Sequence, residues 1–191
     1  MELNKKNIVI NKAIEILNKG GVILYPTDTI WGIGCDATNK SAIKKIYSIK
    51  KRNNRKPLIL LMNNITTLSK YVKTIPKQAK EIIYNEACPV TIIYNDPVNL
   101  PSELNYHNTV GIRIVKEPNI NQFLKIFNKP ITSTSANISN NTTPISFEEI
   151  SDEIKSQVDY IFPKNFININ TNKSSKIIKI NQNLSIEKIR D

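Results

Sequence analysis

The stretch Tyr25-Pro26-Thr27-Asp28-Thr29-Ile30-Trp31-Gly32-Ile33-Gly34 limits what this chain can fold into more than any other. It follows the apolar run 22–25, which reads as a short buried strand. Pro26 ends that strand, because proline has no N–H to give to a ladder. Downstream come Lys50-Lys51-Arg52, then Lys56-Pro57 and the apolar run 58–62. A strand, a Pro/Thr/Asp turn, a glycine pair, a basic helix end and a second buried strand, in that order, describe a small-molecule site built to meet an anion.

The rest of the chain is read around that site. Ala13, Ile14, Ile16 and Leu17 have helical spacing, and Gly20-Gly21 closes their helix. Ser41 is placed to cap a helix running through Ile49, with Ala42, Ile43, Ile46 and Tyr47 on its apolar face and Asn53-Asn54 breaking it. Further helices are expected at 76–84, with proline in the first turn, at 120–127 and at 147–154. Strands are expected at 90–94, 109–115, 131–134, 158–162 and 176–180. Short strands interleaved with helices make an α/β or α+β domain. With 191 residues, 40% of them hydrophobic, and no internal repeat or long linker, the chain suits a single domain over 1–191.

Composition removes several classes of function. The first twelve residues carry charge and no long apolar run, so no signal peptide is expected. No stretch is apolar for long enough to span a membrane. The two cysteines, Cys35 and Cys88, suit a reduced cytosol, so a cytoplasmic protein without a membrane partner is expected. One histidine, His107, is too few for a His/Cys zinc cluster, and no metal-ligating residue is assigned. The five glycines form neither a Walker loop nor a dinucleotide fingerprint.

The net charge is +11, and residues 37–80 hold twelve Lys or Arg with no Asp or Glu. A surface of that kind could hold ATP, pyrophosphate or an RNA backbone. The abundance of Asn, Ile and Lys also fits an AT-rich coding bias that scatters lysines over solvated faces. Arginine is the better witness in such a chain, since only its planar fork grips an anion with two parallel hydrogen bonds. There are four: Arg52, Arg55, Arg113 and Arg190.

Lys50, Arg52 and Lys56 are candidates to meet phosphate, against the alternative of a solvated basic helix end. Ser133, Ser135 and Asn137 alternate so that an extended chain projects them from one face, offering hydroxyls and an amide to a carboxylate or phosphate. The alternative is a polar strand end that satisfies a turn. Thr109 and Arg113 share a strand face on either side of Gly111. An ion pair of Arg113 with Glu103 or Glu117 is its structural alternative. Trp31 is read both as a core aromatic and as a neighbour of the cleft.

Three blocks now stand in order: Tyr25 to Gly34, Lys50 to Met62, and Ser133-Thr134-Ser135-Ala136-Asn137-Ile138-Ser139. Together they resemble the YrdC-like domain family, the threonylcarbamoyl-AMP synthases that begin threonylcarbamoyl modification of tRNA, in its short, single-domain bacterial form. The resemblance implies a twisted mixed sheet flanked by helices around a large basic concave cleft, without the extra C-terminal domain of longer members. It implies that L-threonine, bicarbonate or CO₂, and ATP are turned into threonylcarbamoyl-adenylate and pyrophosphate. It gives the threonine to Thr29, Arg113, Ser133 and Ser175. ATP goes to Lys50, Arg52, Lys56, Thr109, Ser135, Asn137, Thr143 and Arg190, with Lys50 and Arg52 as the catalytic pair. Mg²⁺ would ride on the ATP phosphates, a tRNA threonylcarbamoyl transferase complex would take the product, and direct tRNA binding would be weak. The rival reading is a non-catalytic module of the same fold that binds double-stranded RNA or tRNA.

The chain departs from the family pattern at three places. A Pro-Gly-Pro-x-Thr loop is replaced by Ala87-Cys88-Pro89-Val90-Thr91, Val115 stands where a proline usually follows the Arg113 strand, and Asn140 replaces a glycine after the Ser-x-Asn block. The role of Arg190, next to the end of the sequence, requires that end to be ordered.

Overall fold

The computed structural model of the protein describes residues 2–52, 56–167 and 173–191. Among these residues, nine strands form one mixed sheet: β1 (Ile23–Tyr25), β2 (Gly32–Gly34), β3 (Ile59–Met62), β4 (Val90–Asn95), β5 (Thr109–Ile114), β6 (Ile131–Ser135), β7 (Tyr160–Ile161), β8 (Lys176–Ile180) and β9 (Ile186–Arg190). Their order across the sheet is β7-β1-β2-β6-β3-β5-β4-β8-β9. Pairing is parallel at β1–β7, β3–β5 and β4–β8 and antiparallel elsewhere.

The period-2 alternation of strand side chains divides the core in two. Val22, Leu24, Leu58, Leu60 and Met62 join one cluster, beneath α2 (Lys40–Ile49). Ile23, Tyr25, Leu61 and Ile131 join the other, beneath α1 (Glu2–Asn18) and α5 (Pro118–Phe127). Two short helices, α3 (Ile65–Leu68) and α6 (Asp152–Lys155), and the longer α4 (Lys77–Asn85) complete the set. Proline at the start of α5 is preorganised for a first turn, and Glu117 caps it by accepting from Ile120 N at 2.7 Å.

Sequence periodicity locates α2, α4, α5 and most strands to within a residue or two. Four details differ. The cap of α2 is Asn39, whose side chain accepts from Ala42 N at 3.1 Å; Ser41 sits inside the first turn and donates to that same oxygen. The end of α2 comes at Lys50, ahead of Asn53-Asn54, which lie outside the described residues. Lys51 there is left-handed, with φ 46°, and Arg52 N and Lys51 N donate back to Tyr47 O and Ser48 O. That is a Schellman closure with lysine where glycine is usual, so no glycine announced it. Between 147 and 154 only Asp152–Lys155 is helical, since Phe147 is drawn onto Trp31 instead. Lastly, β9 pairs with β8, so the end of the sequence is ordered as an edge strand.

Candidate active site

The register puts Leu61 opposite Arg113, Ile59 opposite both Gly111 and Ser133, Gly111 opposite Ile93, Thr91 opposite Ile177, and Ile177 opposite Arg190. Directly opposed residues share a face, so all of these continue the face that α1 and α5 cover at Leu61 and Ile131. Where those helices stop, a cavity of about 470 Å³ opens. Its floor is Ile59, Gly111, Thr91, Ile93 and Ile177, and the turn after β1 closes one side with Thr27, Thr29, Ile30 and Trp31. Three arginines reach it, Arg52, Arg113 and Arg190, and no carboxylate among the described residues lines it.

Arg113 is the most enclosed of the three, its side chain 2% exposed. Nη2 meets Asp28 Oδ1 as an ion pair at 3.0 Å, and Nη1 donates to Thr29 Oγ1 at 3.4 Å. Nε is buried without a partner among the described residues. Neither carboxylate proposed from sequence takes part: Glu103 pairs with Lys40, and Glu117 caps α5. The turn that carries Asp28 is stiffened from within. Thr27 and Thr29 hydroxyls lie 2.8 Å apart, Thr27 Oγ1 donates to Ile30 O at 2.7 Å and accepts from Thr29 N at 3.1 Å. Glycine at 32 keeps this wall close to β6, because a Cβ there would stand 3.2 Å from Ser133 Oγ.

At the other end, Arg52 donates from Nη2 to Pro57 O at 2.8 Å, from Nε to Lys56 O at 3.3 Å and from Nη1 to Thr134 Oγ1 at 3.2 Å. Its fork carries more N–H donors than these three acceptors take. Ser135 and Thr143 line the cavity beside it. Arg190 spans the distant wall and clamps Ser175 O with Nη2 at 2.7 Å and Nε at 3.1 Å. Ser175, buried, shares a hydrogen bond of 2.8 Å with Thr91 Oγ1. Burial, and then the charge of Arg113 nearby, disfavour the Arg190 cation; burial does the same at Arg52. An anionic ligand would relieve both.

The cavity thus gathers Thr29, Arg52, Thr109, Arg113, Ser133, Ser135, Thr143, Ser175 and Arg190. Lys50, Lys56 and Asn137 stand outside its lining. Lys50 is 1% exposed and spends its ammonium on Ser135 O, on Asn137 O at 2.6 Å and on Asn137 Oδ1 at 3.4 Å. Burial, with Arg52 adding repulsion, lowers its pKa to about 7. Lys56 Nζ bonds Asn140 Oδ1 at 2.7 Å. Asn137 follows the end of β6 and turns its amide to Asn141 O at 2.6 Å, so it does not project with Ser133 and Ser135 as an extended chain would. Asn140 takes the left-handed φ, 73°, expected of a glycine substitute. Arg55 lies outside the described residues.

Some lining residues were not anticipated. Thr27 stands in the first block, where the Thr-x-Thr alternation was the available signal. Thr91 and Thr134 sit inside quoted motifs. Tyr106 comes from the loop before β5, and no sequence pattern marks it. Trp31 holds both of its expected roles: it is 3% exposed in the core, lines the cavity, and packs on Phe147 with ring centroids 4.9 Å apart.

Chemically, the cavity offers hydrogen-bond donors and fixed cations, and among the described residues no nucleophile with an adjacent base lines it. Such a site aligns reactants and stabilises phosphate charge.

Residues 15–191 match the family described as Sua5_yciO_yrdC, Telomere recombination. The threonylcarbamoyl-AMP synthase of Hahella chejuensis is 35% identical over 156 residues, covering 81% of this chain and 85% of that protein. A putative threonylcarbamoyl-AMP synthase of Methanocaldococcus jannaschii is 34% identical over 179 residues, covering 94% of this chain and 83% of that one. The crystal structure of E. coli YciO superposes with a TM-score of 0.79 at 27% identity, covering 97% of this chain and 91% of YciO. That of P. abyssi Sua5 complexed with L-threonine superposes at 0.81 and 23% identity, covering 89% of this chain. The present chain spans 50% of that longer protein.

Proposed function

The chain belongs to the Sua5/YciO/YrdC family, and from that premise we propose that it is a threonylcarbamoyl-AMP synthase. It is a nucleotidyltransferase that makes threonylcarbamoyl-adenylate, pyrophosphate and water from L-threonine, bicarbonate and ATP for tRNA modification. Residues 1–191 are taken as a single YrdC-like domain. The observation that carries the reading is the pairing, in one cavity of about 470 Å³, of a buried arginine at one end with an arginine and hydroxyls at the other.

In this reading the Arg113 fork takes the threonine carboxylate, with Thr29, Ser133 and Ser175 around it. Arg52, Ser135, Thr143, Thr109 and Arg190 take ATP, and Lys56 joins at the rim. Lys50 and Asn137 act from behind the wall, through the segment they hold together. The threonine amine captures CO₂ as a carbamate. A carbamate oxygen attacks the α-phosphorus, and the bond from that phosphorus to the bridging oxygen breaks to release pyrophosphate. The protein supplies alignment and positive charge for this in-line displacement. Mg²⁺ would be carried by the ATP phosphates and would neutralise part of their charge; no group of three His, Cys, Asp or Glu among the described residues is placed to hold a metal. Among those residues, no helix is long and apolar enough to cross a membrane. A tRNA threonylcarbamoyl transferase complex would consume the adenylate. The RNA-binding alternative is not favoured, since the relatives matched over most of the chain are named as synthases.

Pyrophosphate release tests the reading. It should require threonine and bicarbonate together, and mass spectrometry should find the adenylate. Release that ignores threonine, or no release, would overturn it.

A further inference from the structure

Asp28 stands between two hollows. Its neighbours Thr27 and Thr29 face the cavity with the three arginines, while Asp28 itself lines a second hollow of about 370 Å³ between the end of α4, the 87–89 loop and the end of β5. The first hollow therefore holds the guanidinium, and its counter-charge lies behind the wall. Arg113 meets no other carboxylate among the described residues. A guanidinium this deeply buried is expensive without a partner, and Asp28 is the group that balances its charge and holds it in place.

The geometry of the pair is one-sided. Asp28 Oδ1 contacts Nη2 at 3.0 Å, Nη1 makes only a long hydrogen bond of 3.4 Å to Thr29 Oγ1, and Nε has no partner among the described residues. Asp28 Oδ1 is itself buried and, beyond the ion pair, receives no hydrogen bond from the described residues. The carboxylate is thus fixed by its rigid turn, and it fixes in turn a fork that keeps N–H groups beyond those given to Asp28 and Thr29. We propose that Asp28 is a positioning residue for the amino-acid substrate: it anchors Arg113 from the far side, so that the N–H groups left over by Asp28 and Thr29 are held for a carboxylate in the cavity that Arg113 lines. This rests on the threonine reading above and extends it to a residue which that reading does not use.

Asp28→Asn keeps the shape and removes the charge. Without its anchor the fork is free to tilt, and misplacement of about an ångström is enough to cost up to 100-fold in such sites. The KM for threonine should rise by about tenfold or more, the KM for ATP should stay within about twofold, and the melting temperature should fall. Asp28→Glu keeps the charge and shifts it by one methylene, so it should recover part of the threonine affinity; it also serves as the test if the asparagine variant does not fold. A threonine KM unchanged in both variants would overturn the proposal. So would a parallel rise in both KM values, which marks general loosening. A wild-type protein that releases no pyrophosphate with threonine would instead sink the threonylcarbamoyl-AMP synthase reading itself, and with it this extension.

Discussion

The two ends of the cavity are built from different material. Arg113 sits inside β5, in the middle of the sheet, with its side chain 2% exposed and its counter-charge on a cross-braced turn. Arg52 sits on the loop that leaves α2, held by backbone carbonyls of Lys56 and Pro57 and by one threonine hydroxyl. The strand-built end is ordered by folding itself, so a ligand there finds its partner already oriented. The loop-built end is ordered by a few hydrogen bonds close to the surface, and it can adjust to a phosphate chain that changes shape during reaction. In the proposed assignment, the substrate that must be held still goes to the first, and the one whose bonds rearrange goes to the second.

Breaking the rigid end should have the larger effect. Arg113→Lys keeps a positive charge and loses the fork, leaving Asp28 poorly matched. Turnover at limiting threonine should fall by about 100-fold, which corresponds to roughly 3 kcal/mol, as expected when a desolvated charged partnership is lost. A loss below about threefold would mean that the fork is not what holds the substrate.

Breaking the adaptable end comes next. Arg52→Ala should reduce adenylate formation by more than about tenfold, the consequence of a lost charge-assisted bond of ~1.5–3 kcal/mol. Its fold should survive, because the guanidinium lies at a loop and carries no ion pair among the described residues. Activity within about twofold of wild type would take Arg52 out of the site.

Lys50 sharpens the comparison through pH. Its buried ammonium has a pKa of about 7 against an ordinary 10.5. Above that value the folded protein releases a proton that the unfolded chain retains, so stability rises with pH until the unfolded lysine also titrates. Below it both states are protonated, and the burial cost is constant. Relative to Lys50→Met, wild type should gain about 1–2 kcal/mol between roughly pH 7 and 9. Parallel stability curves would contradict this. Activity should run the other way: neutral Lys50 has too few N–H groups for its three acceptors, and the Ser135–Asn137 segment loosens.

The smallest signal is optical. Trp31 touches both the cavity and Phe147, whose ring also carries Lys155 and Lys164 at 4.9 and 4.7 Å. Threonine with ATP should shift its emission more than the two separate responses combined, since both ligands must share one cavity and their binding is coupled. Strictly additive responses would contradict that coupling.

How much of this was legible in the sequence follows the same division. The continuous apolar run 58–62 and the helical spacing of 42–49 place β3 and α2 directly, because a strand covered on both faces is apolar throughout and a helix covered on one face is apolar at fixed intervals. The motif blocks and the strand read at Thr109 to Arg113 bring Thr29, Ser133, Ser135 and Arg113 to one cavity. What stayed hidden depends on partners distant in sequence or on backbone geometry. The pairing of Arg113 with Asp28 crosses 85 positions, and two nearer glutamates looked equally suitable. The left-handed Lys51 has no glycine to mark it. Lys50 reads as a free cation in any window of sequence; only the fold shows that carbonyl oxygens have claimed it. Ile186–Arg190 is exposed throughout, so β9 lacked the buried pattern that identifies a strand.

Calorimetric titration of L-threonine into Arg113→Lys and Arg52→Ala tests the division of labour most directly. Threonine binding should be abolished in the first variant and stay within about threefold of wild type in the second. Binding retained in Arg113→Lys and lost in Arg52→Ala would reverse the assignment of the two ends and contradict the account.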